Sequence, residues 1–168
     1  MDLLVVRHAV AEEREEFAKT EQDDSERPTT PAGRRKFRQG ARALRQLVDS
    51  IDLLATSPLV RAIETGDILQ KVCGIAEATR LRELAPDADP AAIVPWLRHQ
   101  RKVSVVAVVG HEPHLSSLVE HLLTGRRAGF LDLKKGGACY LALGDEPRPG
   151  RSELRWLLTA SQLRQFAE

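Results

Sequence analysis

Short apolar runs alternate along this chain with stretches whose apolar residues recur every three or four positions. That alternation is the pattern of a sheet covered on both faces by helices. Residues 3–6 are continuously apolar and residues 103–109 form the longest β-branched run, so both read as buried central strands. Shorter strand candidates lie at residues 52–55 and 76–81, the second at a sheet edge. Two more, at residues 138–143 and 153–158, are joined by a Gly- and Pro-rich segment.

Between these runs the period lengthens. Thr30-Pro31 supplies an N-cap followed by proline in the first helical position, and Phe37, Ala41, Leu44, Val48 and Ile51 then mark one apolar stripe. Thr56-Ser57-Pro58 opens a second helix to about residue 72, with Ala62, Gly66, Leu69 and Cys73 on its inner face. Asp89-Pro90 begins a third, which Pro95 should kink or shorten. Leu115, Leu118, Val119 and Leu122 mark a fourth, closed near Gly125. Residues 12–26 are polar, acidic and without period, and are expected to form an exposed loop. No internal repeat or low-complexity tract interrupts the pattern. The expectation is a single α/β domain over residues 1–168, a three-layer α/β/α sandwich with a mostly parallel central sheet.

Composition narrows the function more than the fold. With 168 residues, 25 Lys and Arg against 24 Asp and Glu, and a formal net charge of +1, the chain carries no global basic field to recruit nucleic acid or an anionic membrane. Neither partner is expected. No basic, long-apolar, small-residue leader opens the chain and no apolar run approaches a bilayer span, so a cytoplasmic location is expected. Cys73 and Cys139 stand far apart in apolar surroundings and read as buried, reduced thiols. The helix carrying Arg34, Arg35, Lys36, Arg38, Arg42 and Arg45 presents a basic face, read as solvated, with docking of an acidic protein as the alternative.

The reactive residues gather at the carboxyl ends of the predicted strands, where open α/β sheets hold their ligands. The first strand runs into Arg7-His8, the second leads through Ser57-Pro58 to Arg61, and the long central strand runs into Gly110-His111. A guanidinium is permanently charged, and its planar fork matches phosphate oxygens. Two arginines and a second histidine are what in-line phosphoryl transfer needs, and neighbouring cations keep an imidazole neutral and nucleophilic. A metal site is the weaker reading. His111 and His114 are three apart rather than four, Pro113 interrupts them, and no carboxylate cluster accompanies them. No cofactor is expected, and His114 reads as a first-turn helix residue.

Three blocks carry a resemblance: Leu4-Val5-Val6-Arg7-His8-Ala9, the segment 56–65 from Thr56 through Arg61 to Thr65, and Val109-Gly110-His111-Glu112-Pro113. Together they resemble the histidine phosphatase superfamily, the phosphoglycerate mutase-like phosphatases. Short length and the segment 24–33, containing Arg27, resemble the SixA-type phosphohistidine phosphatases within it. The resemblance implies that His8 is the phosphorylated nucleophile, that Arg7, Arg61 and His111 form the phosphate pocket, and that Arg27 and Ser57 bind substrate. It also implies an acid at Glu83, with Asp24 as rival. Ala9 stands where the family usually has glycine. The implied partner is a phosphorylated protein such as a histidine phosphotransfer domain, with a small phosphorylated metabolite or non-catalytic phosphoprotein binding as alternatives.

Overall fold

In β1 (Asp2–Arg7) successive side chains point to opposite faces of the sheet, and both faces are apolar. Leu4 and Val6 join one core cluster, whereas Leu3 and Val5 join the other. The computed structural model describes residues 1–100 and 102–167. Its other strands are β2 (Leu53–Thr56), β3 (Glu77–Arg80), β4 (Val105–Gly110), β5 (Ala138–Ala142) and β6 (Glu153–Leu158). The helices are α1 (Arg14–Ala18), α2 (Pro31–Leu47), α3 (Val60–Cys73), α4 (Ile93–His99), α5 (His114–Thr124) and α6 (Ala160–Phe166).

The strands form one sheet in the order β3-β2-β4-β1-β5-β6. The first four run parallel, and β5 and β6 are antiparallel additions at one side. On one face Phe37, Ala41 and Leu44 of α2, Leu69 of α3 and Leu163 of α6 pack over Leu4, Val6 and Val109. On the other, Ile93 and Leu97 of α4 and Leu115, Leu118 and Leu122 of α5 cover Leu3, Val5 and Val108. Each fully buried leucine contributes about 1.5–3 kcal/mol, so the two helical layers hold the sheet more firmly than any polar contact. Cys73 packs on the first cluster and Cys139 within the second, so the free thiols stand on opposite sides of the sheet. Cys139 is buried as expected, and Cys73 only half-buried.

The structure departs from the sequence pattern in two places. Residues 12–26 are not wholly loop: they contain α1 and a 3-10 turn over Asp24–Glu26. A five-residue helix is too short to display a period, and α1 is anchored by the single buried side chain of Phe17. The second departure is α6, for which no apolar stripe gave a signal. Its start is written in Thr159 and Gln162, which form a reciprocal capping box, and Leu163 alone docks it. The helix expected from Asp89-Pro90 is short: it opens as a 3-10 turn over Pro90–Ala92 and becomes α4 for seven residues only, with Pro95 in the first turn of α4, where a backbone N–H is not needed.

Candidate active site

Parallel pairing places the ends of β2, β4 and β1 side by side. Arg7 is in register with Gly110, and Thr56 with Val109, so His8, Ser57 and His111 leave the sheet together. The His8 amide donates to the Gly110 carbonyl (3.0 Å), and the Ser57 amide to that of Val109 (2.9 Å). The imidazole centroids of His8 and His111 are 5.1 Å apart. Both rings border a cavity of about 290 Å³, which Arg7, Arg27, Arg61 and Asp24 also line.

Hydrogen bonding sets which atom of each ring is free. His8 Nδ1 lies 2.7 Å from the Ala9 carbonyl. A carbonyl has no proton to give, so Nδ1 carries it and Nε2 keeps the lone pair. His111 Nε2 lies 2.7 Å from Ser57 Oγ, and its Nδ1 is buried without a partner. Burial lowers the His8 pKa from 6.5 to about 4, with the Ala9 carbonyl opposing and the charges of Arg61, Arg7 and Arg27 adding to the fall. Burial also drives His111 down to about 2, helped by His8 and Arg61. Both rings are therefore neutral bases at neutral pH.

The cations are held from behind. Arg7 Nη1 donates to the Leu133 carbonyl (2.7 Å). Arg27 donates through Nε to Asp24 Oδ1 (2.8 Å) and through Nη1 to the Glu12 carbonyl (2.7 Å). Arg61 reaches Asp24 twice, from Nη1 to its carbonyl oxygen (2.9 Å) and from Nη2 to Oδ2 (3.2 Å). The Nε atoms of Arg7 and Arg61 are buried without partners. Arg61 is only 3% exposed and Arg27 8%, and one carboxylate cannot satisfy both together with Arg7. Buried charge left in that condition is costly, which marks the cavity as a place for an anion.

Two of the expected site residues stand elsewhere. Ser57 is fully buried behind His111 and orients that ring rather than lining the cavity. Glu83 also lies outside the cavity wall, which Pro86 of the same segment reaches. A 3-10 turn over Arg82–Leu84 buries Leu84 in the core and leaves Glu83 half-buried beside it. The carboxylates on the wall are instead Glu12, Glu13, Asp24 and Glu112. Burial raises the Asp24 pKa, but the Arg27 hydrogen bond and the Arg61, Arg27 and Arg14 charges outweigh it and hold the group ionised. Burial raises the pKa of Glu112, whose oxygens accept from the Ser116 amide (3.1 Å) and hydroxyl (2.5 Å).

Thr65 and Glu64 were passed over in the sequence, although both lie in the 56–65 block. Thr65 Oγ1 accepts from the Ala9 amide (2.9 Å) and donates to the Arg61 carbonyl (2.7 Å), tying the nucleophile's loop to the arginine's helix. Glu64 receives the Thr29 amide (2.7 Å) and hydroxyl, which fixes the strand of chain leaving Arg27. For Thr65 the signal was a buried-face position on α3 that carried a polar residue; Glu64 is partly exposed and gave no such signal. Most of the basic face of α2 is exposed, as expected, whereas Arg34 bonds the Thr29 carbonyl (2.5 Å). Among the described residues no three His, Cys, Asp or Glu side chains converge as a metal-binding group, and no helix is long and apolar enough to cross a membrane.

Comparison with known proteins agrees with the geometry. Residues 3–87 match the model of the histidine phosphatase superfamily (branch 1). An uncharacterised protein of Picosynechococcus sp. is 31% identical over 146 residues, covering 86% of each chain. The structure of the protein histidine phosphatase SixA complexed with tungstate shares the fold, with a TM-score of 0.81 and 24% identity, over 97% of this chain and 99% of that one. A phosphoserine phosphatase variant from Entamoeba histolytica, in complex with phosphoserine, superimposes with a TM-score of 0.67 and 15% identity over 96% of this chain and 98% of that one.

Proposed function

Because this chain belongs to the histidine phosphatase superfamily, we propose that it removes a phosphoryl group from phosphohistidine on a protein, without a metal, through a covalent phosphohistidine on His8. The observation that carries the reading is the pair of buried imidazoles 5.1 Å apart beside three arginines, two of them buried, around one cavity.

The first step forms a bond from His8 Nε2 to phosphorus and breaks the bond to the leaving group. Because Nδ1 donates to the Ala9 carbonyl, positive charge developing on the ring is stabilised where it appears. Arg7, Arg27, Arg61 and His111 face the phosphoryl oxygens, whose charge spreads in the transition state. In the second step water attacks phosphorus, the P–N bond to His8 breaks, and phosphate leaves with His8 neutral again. A phosphohistidine ring already protonated on its other nitrogen departs as neutral imidazole, a better leaving group than an alkoxide, and asks less of an enzymic acid. This agrees with a wall whose Asp24 is held ionised and which Glu83 does not reach.

The mouth supports a macromolecular substrate. Glu12, Glu13, Arg14, Pro86 and Lys135 border the cavity and are all exposed, so a side chain presented by another protein can reach the base. A histidine phosphotransfer domain carries such a side chain. These features, together with the likeness to the protein histidine phosphatase SixA, support a protein substrate.

The test is to quench the enzyme during turnover with a labelled phosphohistidine donor and map the adduct. The expected result is an acid-labile, alkali-stable label on His8, absent from His8→Ala, with a rate unaffected by chelator. Turnover of a phosphorylated metabolite panel faster than of phosphohistidine peptide would overturn the substrate assignment. Phosphate binding with no label on any residue would overturn the chemistry.

A further inference from the structure

Glu120 lies in α5, is 1% exposed, and takes no part in the cavity wall. Its two oxygens accept four consecutive backbone N–H groups. Oε2 receives those of Ala128 (2.7 Å) and Gly129 (2.7 Å), and Oε1 those of Phe130 (2.7 Å) and Leu131 (2.8 Å). Burial pushes the Glu120 pKa up, but the four donors outweigh it and hold the group ionised. Four successive amides meet one carboxylate only when the chain curls around it, and Gly129 supplies a left-handed turn (φ 71°). The segment has no regular secondary structure of its own, so this carboxylate sets its shape.

The curled segment leads directly into the backbone that holds the site. Leu133, two residues beyond it, accepts Arg7 Nη1 at its carbonyl (2.7 Å). The Leu133 amide donates to Ser116 Oγ (3.3 Å), one helical turn before Glu120 on α5. Further along, the Gly136 amide donates to the His8 carbonyl (3.1 Å) and the Arg7 amide to that of Gly137 (3.1 Å). An arginine side chain has four rotatable bonds, and the direction of its fork decides whether it meets a tetrahedral anion.

We propose that Glu120 is a positioning residue for oxyanion binding: by curling residues 128–131 onto α5 it fixes the Leu133 carbonyl that aims the Arg7 guanidinium into the cavity. The inference rests on the reading of that cavity as a phosphoryl site, and goes beyond it by assigning a role to a residue remote from the anion.

Tungstate is the probe. Coupling between two sites is reciprocal, so an anion held by Arg7 must in turn stabilise the curl. Saturating tungstate should slow hydrogen exchange at the amides of residues 128–131 by about fivefold or more, and Arg7→Ala should abolish that protection at tungstate concentrations that still saturate the variant. Glu120→Gln should weaken tungstate binding about tenfold. Combined with Arg7→Ala it should add nothing further, whereas combined with Arg61→Ala, whose side chain is held by Asp24, the two effects should multiply. A purely structural staple would multiply with both and would leave the wild-type amides unprotected; either result overturns the proposal. Should Glu120→Gln fail to fold, the exchange measurement on the wild-type chain decides alone. Absence of any tungstate binding to the wild-type chain would instead refute the phosphoryl-site reading itself.

Discussion

Replacing His8 with asparagine removes an imidazole whose pKa burial lowers from 6.5 to about 4, with the Ala9 carbonyl opposing and Arg61, Arg7 and Arg27 lowering it further. In the unfolded chain the ring titrates near its ordinary value, so between these two pH values the unfolded state holds a proton that the folded state does not. The associated stability is complete above the unfolded pKa of 6.5, drains as pH falls toward about 4, and levels off below it. The shift corresponds to about 3 kcal/mol over the whole window, of which about 2 kcal/mol falls between pH values of about 7 and about 5. His111, pushed down to about 2, titrates in the same direction, so the wild-type loss exceeds the His8 share. Urea unfolding of wild type and His8→Asn at both pH values isolates that share: the variant should lose about 2 kcal/mol less on acidification. Equal losses in the two proteins would mean that His8 is not a buried neutral base, and the case for an uncharged nucleophile at neutral pH would fall with it.

Arg61→Ala should lower turnover by on the order of 10³ or more, because it removes a buried, permanently charged fork from the cavity wall; a loss under tenfold in steady-state kinetics would remove it from the machinery. Ser57→Ala unties His111 Nε2 and should cost about 10- to 100-fold in kcat/KM, with a fall in melting temperature of a few degrees, about 1–3 kcal/mol, from the buried ring nitrogen left without a partner. Glu83→Gln should leave kcat/KM within about threefold of wild type, and a larger fall would restore Glu83 as the acid. Within α2, Gly33→Ala and Gly40→Ala should move thermal stability in opposite directions. A Cβ at Gly33 collides with the Val10 carbonyl oxygen and should cost about 1–3 kcal/mol, whereas one at Gly40 meets Leu163 Cβ at 3.5 Å and should gain about 0.5–1 kcal/mol.

The layered sheet was legible because strand and helix periods differ, and runs such as residues 105–109 are buried on both faces and leave no ambiguity. Arg7, His8 and His111 were legible because the pattern that finds a buried strand also finds the residue at its end, and Arg61 because a helix start follows the second strand. The reach of Glu83 was not legible for the opposite reason, since a single 3-10 turn decides which way its side chain leaves the backbone and no period records that choice. Ser57 was assigned to substrate because proximity along the chain does not say which of two neighbouring groups a hydroxyl will meet. The family model spans residues 3–87, yet the Leu133 carbonyl that holds Arg7 lies well outside it, in a segment with neither strand nor helix to announce it.

The pairing of Arg7 with Gly110 carries a constraint on how this chain can vary in length. Deleting or inserting a single residue within β1 or β4 would turn one imidazole to the opposite side of the sheet while leaving an apolar strand behind, since both faces are apolar. Such an indel would pull that imidazole away from the cavity and repack a central strand against both helical layers at once, so length changes should be tolerated in connecting segments and not in these two strands.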